Sequence, residues 1–561
     1  MTGLVALLQQ RLGAAFAAVA GGHAEPAVRR SQRADFQADG ALALARKLGR
    51  PPRDVAADVL AQDPLDDLCA TTEIAGPGFV NLTLRADVLG DLVTTMAADQ
   101  RLGVPPADAP DTVVIDYSAP NAAKEMHVGH LRSTIIGDAA ARVLGWLGHR
   151  VIRQNHVGDW GTPFGMLVEQ LLDQDDAEHS IGDLNAFYRQ AREKFDTDDG
   201  FRERSRARVV ALQRGDEPTL RLWRTIVDLS ARHYAEVYTR LGVLLTDADL
   251  AGESRYQPML DDVAKELDRL GLLRESDGAS CVFPAGFTNR DGDPLPLIVR
   301  KADGGYGYDT TDLAAIRYRI ADLGATRLLY VVGSPQREHF QLIFQAAREA
   351  GWLTEGVRAE HIAFGSVLGT DGRMLRTRAG HTIRLTDLLD EAVTRAADKI
   401  RDRDVDTDTV ARAVGIGAVK YADLSTDRTK DYTFDYDRML AFDGNTGPYL
   451  QYAHARVQSI LRRADEPPGQ VTVAEPAERD LAIALLGFPD TIADLAETLE
   501  PHRLCAYLYA LATTFTTFYE SCPVLRADPT TRASRLALCA LTARVLAHGL
   551  DLLGIEAPDR M

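Results

Sequence analysis

The stretch between residues 112 and 161 does most to limit what this chain can fold into. TVVIDYS is a short apolar run of strand character. After a loop comes GHLRSTIIGDAAARVLGWLGH, with apolar residues at Leu131, Ile135, Ala139 and Val143 in helical spacing. HRVIRQNHVGDWG then reads as a second strand and its exit turn. Two more strand-like runs, TRLLYVVGS and HIAFGSVLG, follow later, each flanked by helical or turn segments. Strands alternating with helices predict a mainly parallel, doubly wound α/β sheet. Such sheets bind nucleotides in the crevice at the carboxyl ends of their strands.

The rest of the chain is expected to form modules around that core. Residues 1–105 open with helical spacing at Leu4, Leu7, Leu8 and Leu12 and close near the alternating strand GPGFVNLTL, which predicts an α+β module. PPADAPD at 105–111 reads as a linker. The core is expected over 111–385, with a polar, charged helical insertion at 171–240 that reads as solvated. From 386 to 561 helical periodicity predicts an all-α domain, interrupted by a loop at ADEPPGQVTVAEPAE. The 561 residues suffice for three to four domains. The run LVALLQQRLGAAFAAVAGG is broken by Gln9, Gln10 and Arg11, so neither a signal peptide nor a membrane span is expected. Five widely spaced cysteines give no CxxC pattern and predict reduced thiols in a cytoplasmic setting. The net charge of −18 argues against a general nucleic-acid coat protein, while a local basic face remains compatible with RNA.

The densest chemistry lies in DYSAPNAAKEMHVGHLRST, residues 116–134. His127 and His130 flank Gly129 at the turn from strand to helix. A helix N-terminus offers backbone N–H groups and a positive dipole end to a phosphate. Two imidazoles can donate to an α-phosphate that gains charge during attack. Gly129 would let an adenine ring approach the backbone. Histidines three apart could instead be metal ligands or helix caps. Only 8 of the 63 basic residues are lysine, which makes Lys124, three residues before His127, a marked choice.

These residues resemble a known family. HVGH looks like the HIGH motif of class I aminoacyl-tRNA synthetases, whose core is Rossmann-like. The joint match of DYSAPNAAKEMHVGHLRSTIIGD and NHVGDWGTPFG resembles the arginyl-tRNA synthetases in particular. The likeness continues through YDTTDLAAIRYR and DGNTGPYLQYAHAR to GLDLLGIEAPDRM. It implies ATP-dependent ligation of L-arginine to tRNA(Arg), a step of protein biosynthesis, through arginyl-adenylate. It further implies ATP and Mg²⁺, no protein-held structural metal, a monomer, and adenylate formation that needs tRNA. Residues 1–105 would bind tRNA, and 386–561 would contact its stem and anticodon.

The resemblance also implies roles. His127, Gly129 and His130 would bind ATP. The mobile KMSKS loop matches DGRMLRTRAG, placing Arg373, Met374 and Arg376 in register with both lysines replaced. Arginine is a planar fork where lysine is a point charge, so the swap is not neutral. Lys124 would take over phosphate neutralisation, making Lys124, His127, His130 and Arg376 the catalytic set. Asp116, Ser118, Asn121, Tyr308, Asp312 and Gln336 would bind arginine, since anionic oxygens suit a fork of N–H donors. Phe79 and Asn81 in GPGFVNL, with Tyr449, Tyr452 and Arg456 in GPYLQYAHARVQSILRR, would bind tRNA by stacking and hydrogen bonding. Core packing of Phe79 and of one tyrosine fits the same spacing.

Two other readings remain open. A non-catalytic tRNA-binding or regulatory relative would explain the lost loop lysines. A synthetase for another amino acid would leave the carboxylates unpaired, at roughly 1–3 kcal/mol or more.

Overall fold

The computed structural model describes residues 3–173, 184–376, 383–400 and 406–561. They form two compact units. One comprises Ala107–Arg395 and Ala422–Arg438; the other comprises Met1–Pro106, Ala396–Tyr421 and Met439–Met561.

The first unit is built on four parallel strands in the order β4-β3-β1-β2: β1 Thr112–Asp116, β2 Arg150–Gln154, β3 Arg327–Tyr330 and β4 Arg358–His361. Helices α1 (Val128–Trp146), α2 (Tyr308–Ala321) and α3 (Arg337–Glu349) complete the α/β core. The expected doubly wound parallel sheet is therefore present. Its register sets Asp116, Gln154, Tyr330 and His361 abreast, so all four strands end on one line. Val114, Leu313, Ile316, Leu328 and Ile343 fill the core. Helix α1 lies close against the exit of β1: a Cβ at Gly137 would stand 2.3 Å from Tyr117 Cγ.

Two strand expectations shift. HIAFGSVLG contributes only His361 to the sheet, as the last residue of β4. Val367–Leu368 pairs instead with Tyr432–Thr433. A three-stranded antiparallel sheet, Leu273–Ser276, Ala279–Val282 and Leu297–Arg300, had no clear signal. Its strands are four residues each, too short for a period to show, and two of them mix charged with apolar side chains.

The expectation of a solvated insertion needs correction. Its described helices are Thr162–Asp173, Leu184–Thr197, Asp199–Gln213 and Glu217–Leu241. Their outer faces carry ion pairs such as Arg192–Asp196. Their inner faces bury Phe187, Phe201, Leu212 and Ile226 in one cluster with Ala122 and Ala123 of the signature loop.

In the other unit, a four-stranded antiparallel sheet (Val28–Arg30, Phe36–Ala38, Phe79–Leu84, Cys69–Ala75) packs with helices that include Leu4–Ala20. This module docks on the C-terminal helices Gly447–Ala464 to Pro529–Leu552. Asp490 accepts hydrogen bonds from the Val5 and Ala6 amides, capping the first helix from a distant part of the chain. Arg479 pairs with buried Asp35 and donates to the Leu84 carbonyl.

Candidate active site

The two signature histidines cap their own helix. His127 Nδ1 accepts from the Gly129 amide at 3.1 Å, and His130 Nδ1 accepts from the His127 amide at 3.1 Å. A nitrogen that accepts carries no proton, so in each neutral ring the proton sits on Nε2. Burial, then Lys124, lowers the His127 pKa; burial, then His127, pushes His130 down to about 3. Both rings stay neutral at physiological pH, with Nε2–H free to donate. The cap reading and the phosphate reading thus use different nitrogens and hold together.

Residues 118–126 are held in an unfavourable shape. Ser118, Ala119 and Ala123 have φ of 72°, 46° and 61°, a region costly to residues with a Cβ. Hydrogen bonds from the insertion and the core fix them. Ser118 N donates to Ser133 Oγ, and its hydroxyl is 2.7 Å from the Tyr238 hydroxyl. Ala119 N donates to Asn155 Oδ1, Ala123 N to Ser230 Oγ, and Met126 N to His233 Nε2. Glu125 pairs with Arg384, and the Val128 amide donates to the Ile383 carbonyl. Ser118, expected to bind arginine, is buried within this brace and also accepts from Thr134 Oγ1. Lys124 sits half-buried with its ammonium 4.5 Å from the Tyr188 ring centre.

A cavity of about 240 Å³ opens beside the histidines. Its lining brings His127, Gly129, Met374 and Arg376 together with Gly333, Phe364, Gly365 and Ser366. Phe364 to Ser366 were not singled out in the sequence, where FGS carries no special spacing. Arg373 is exposed and outside this lining. Arg132, fully buried on α1, pairs with Asp423 and donates to the Lys430 carbonyl, tying α1 to the segment behind the cavity.

A second, polar cavity of about 740 Å³ is lined by Trp160, Glu253, Lys301, Tyr306, Tyr308 and Thr311 among others. Tyr308 is 68% exposed at the start of α2. One turn on, Asp312 Oδ2 accepts from His339 Nε2 at 2.7 Å, and the Tyr308 and His339 rings are 5.2 Å apart. Asp312 and Asp309 raise the His339 pKa although burial opposes them. Glu253, which nothing in the sequence flagged, is pushed up to about 7 by burial. Asp116 departs from expectation: Arg319 holds its Oδ2 at 2.7 Å, with His156 3.7 Å away. Burial alone would raise its pKa, but Arg319 and His156 hold it below the usual carboxylate range. Arg319 thus already balances the charge of Asp116 through Oδ2. Asn121 is exposed beside Gly158, where any Cβ would stand 2.4 Å from its Oδ1. Gln336 is exposed before α3.

The expected RNA-facing residues lie in the other unit. Asn81 is buried on its strand with Oδ1 lacking a partner, and Phe79 is half-buried. Tyr452 is exposed, Tyr449 lies 5.6 Å from Tyr509, and the Arg456 guanidinium stacks 4.7 Å over Tyr519. Among the described residues no group of three or more His, Cys, Asp or Glu is arranged to hold a metal.

Comparison with known proteins gives three family matches. Residues 6–84 match the arginyl tRNA synthetase N-terminal domain, 92–436 the catalytic domain of class I tRNA synthetases (R), and 450–561 the DALR anticodon binding domain. The arginine–tRNA ligase of Thermobifida fusca is 55% identical, covering 100% of this chain and 99% of that one. That of Frankia casuarinae is 56% identical over 96% and 95%. Among solved structures, the arginyl-tRNA synthetase of Plasmodium falciparum superposes with a TM-score of 0.88 at 27% identity, and the Thermus thermophilus one with 0.85 at 26%. Both cover 100% of each chain.

Proposed function

The chain belongs to the arginyl-tRNA synthetases of class I, and we propose that its two cavities divide their reaction between them. The enzyme ligates L-arginine to its tRNA at the expense of ATP. The arginine carboxylate attacks the α-phosphorus, the α–β phosphoanhydride breaks, and pyrophosphate leaves. A ribose hydroxyl of tRNA then attacks the carbonyl carbon of arginyl-adenylate, and AMP leaves.

The observation that carries the assignment is the pair of neutral imidazoles capping the N-terminus of α1, of which His127 lines the cavity that Arg376 also lines. His127 and His130 donate to the α-phosphate as it gains charge, and the helix dipole adds to the same field. Lys124 neutralises phosphate charge, and Arg376 takes the pyrophosphate side. Among the described residues the lining includes no carboxylate, so Mg²⁺ would come with the nucleotide's phosphates. On the amino-acid side, Glu253, Asp312 and Tyr308 receive the guanidinium, while Asn121 and Gln336 receive the α-amino and carboxylate ends. A planar fork matches two oxygens at once, where an ammonium of lysine meets them as a point. Phe79, Asn81, Tyr449, Tyr452 and Arg456 belong to tRNA contact, residues 1–105 and 386–561 being the tRNA-binding parts. Five unpaired buried thiols fit a reducing, cytoplasmic setting, and a monomer is the expected state by light scattering.

Charging of total tRNA with radiolabelled arginine, with Lys124→Ala run beside it, tests the reading. Wild-type charging abolished by the substitution supports Lys124 as the phosphate partner. Charging that survives returns that work to Arg376. No feature of the cavities favours the non-catalytic alternative.

A further inference from the structure

Lys124 has an unusual neighbour for a group meant to meet phosphate. Among the described residues no carboxylate pairs with it: Glu125 next to it is taken by Arg384. Its close partner is the face of Tyr188, 4.5 Å from Nζ, on the insertion helix Leu184–Thr197. That helix is anchored by buried Phe187 and Ala191 in the cluster that also holds Ala122 and Ala123, the two residues just before Lys124. Ring and lysine are thus mounted on one packed body.

The chemistry of this pairing differs from that of an ion pair. A carboxylate would position the ammonium but cancel its charge and occupy its N–H donors. An aromatic face attracts the cation while leaving its full charge and its donors for another anion. A four-carbon stem left unheld would lose rotamer freedom each time it met phosphate. We infer that Tyr188 is the positioning residue for Lys124: its ring holds the ammonium toward the nucleotide site without neutralising it. This gives the insertion a part in catalysis, and it rests on the reading of Lys124 as the phosphate partner.

The test is tRNA-dependent pyrophosphate exchange and arginylation by wild type, Tyr188→Phe, Tyr188→Leu, Lys124→Ala and the Tyr188→Leu/Lys124→Ala double variant. Tyr188→Phe keeps the ring and should match wild type. Tyr188→Leu should lower kcat roughly 3- to 30-fold with KM for arginine unchanged, the worth of one cation–π contact. Added to Lys124→Ala it should cost nothing further. A wild-type rate for Tyr188→Leu beside an inactive Lys124→Ala overturns the inference and leaves the Lys124 reading standing. An active Lys124→Ala overturns both. Additive losses mark a merely structural ring and overturn it too. If Tyr188→Leu does not fold, Tyr188→Met carries the same comparison.

Discussion

His130 does two jobs with two nitrogens, and substitutions can separate them. Asparagine can supply an acceptor near the place of Nδ1 but nothing near that of Nε2. His130→Asn should keep the helix cap and the unfolding midpoint, yet lose roughly 10²–10³ in kcat, the worth of one transition-state donor. Because its pKa is depressed to about 3, neutral His130 contributes stability that is complete above about 6.5 and drains as pH falls below it. Acid titration of the unfolding midpoint checks the sign. Glu253 behaves oppositely. Its pKa of about 7 means it gains its charge only as pH rises through neutrality. KM for arginine should therefore fall between pH 6 and 8, and Glu253→Gln should flatten that dependence. In the unliganded enzyme the same substitution should raise the unfolding midpoint at pH 8 more than at pH 5. Burying the charged form is what costs stability there.

Among elements, α1 is the one whose placement sets the chemistry. Gly137 lets it approach the exit of β1, with the Tyr117 ring where a methyl would go. Gly137→Ala should shift the helix, cost about 1–3 kcal/mol by overpacking, and depress kcat through misplaced histidines. Urea unfolding and steady-state charging measure the two parts. Much at this scale was legible. The four-residue strand β3 and the 19-residue α1 announce themselves through TRLLYVVGS and HLRSTIIGD, because period and length agree. The antiparallel strands at 273–300 did not, their side chains being half exposed and their runs short. The insertion misled for another reason. Its charge density is real, but Phe187, Phe201 and Ile226 are spread over three helices and make a core only when those helices meet. Glu253 was invisible likewise: its meaning comes from burial beside a cavity, which no local pattern encodes. Asp116 shows the reverse, a residue matched by motif whose charge is already balanced by Arg319, far along the chain.

Within the unit that joins both ends of the chain, Asp35 is the tie between the N-terminal sheet and the C-terminal helices. Asp35→Ala would leave Arg479 half-buried without its partner, a loss of about 3–5 kcal/mol for a buried pair. Limited proteolysis should then release fragments cut in the 105–111 linker, while pyrophosphate exchange at saturating tRNA persists. Retention of wild-type protease resistance would remove Asp35 from that role. The three left-handed residues of the signature loop have a consequence at the same scale. Ser118, Ala119 and Ala123 keep their shape because Ser230, His233, Tyr238 and Asn155 stand where they do, some of them more than a hundred positions downstream. The motif is therefore not portable. A protein engineer who grafted residues 116–134 onto another parallel sheet would transplant the letters without their trellis, and the graft would relax into an ordinary loop.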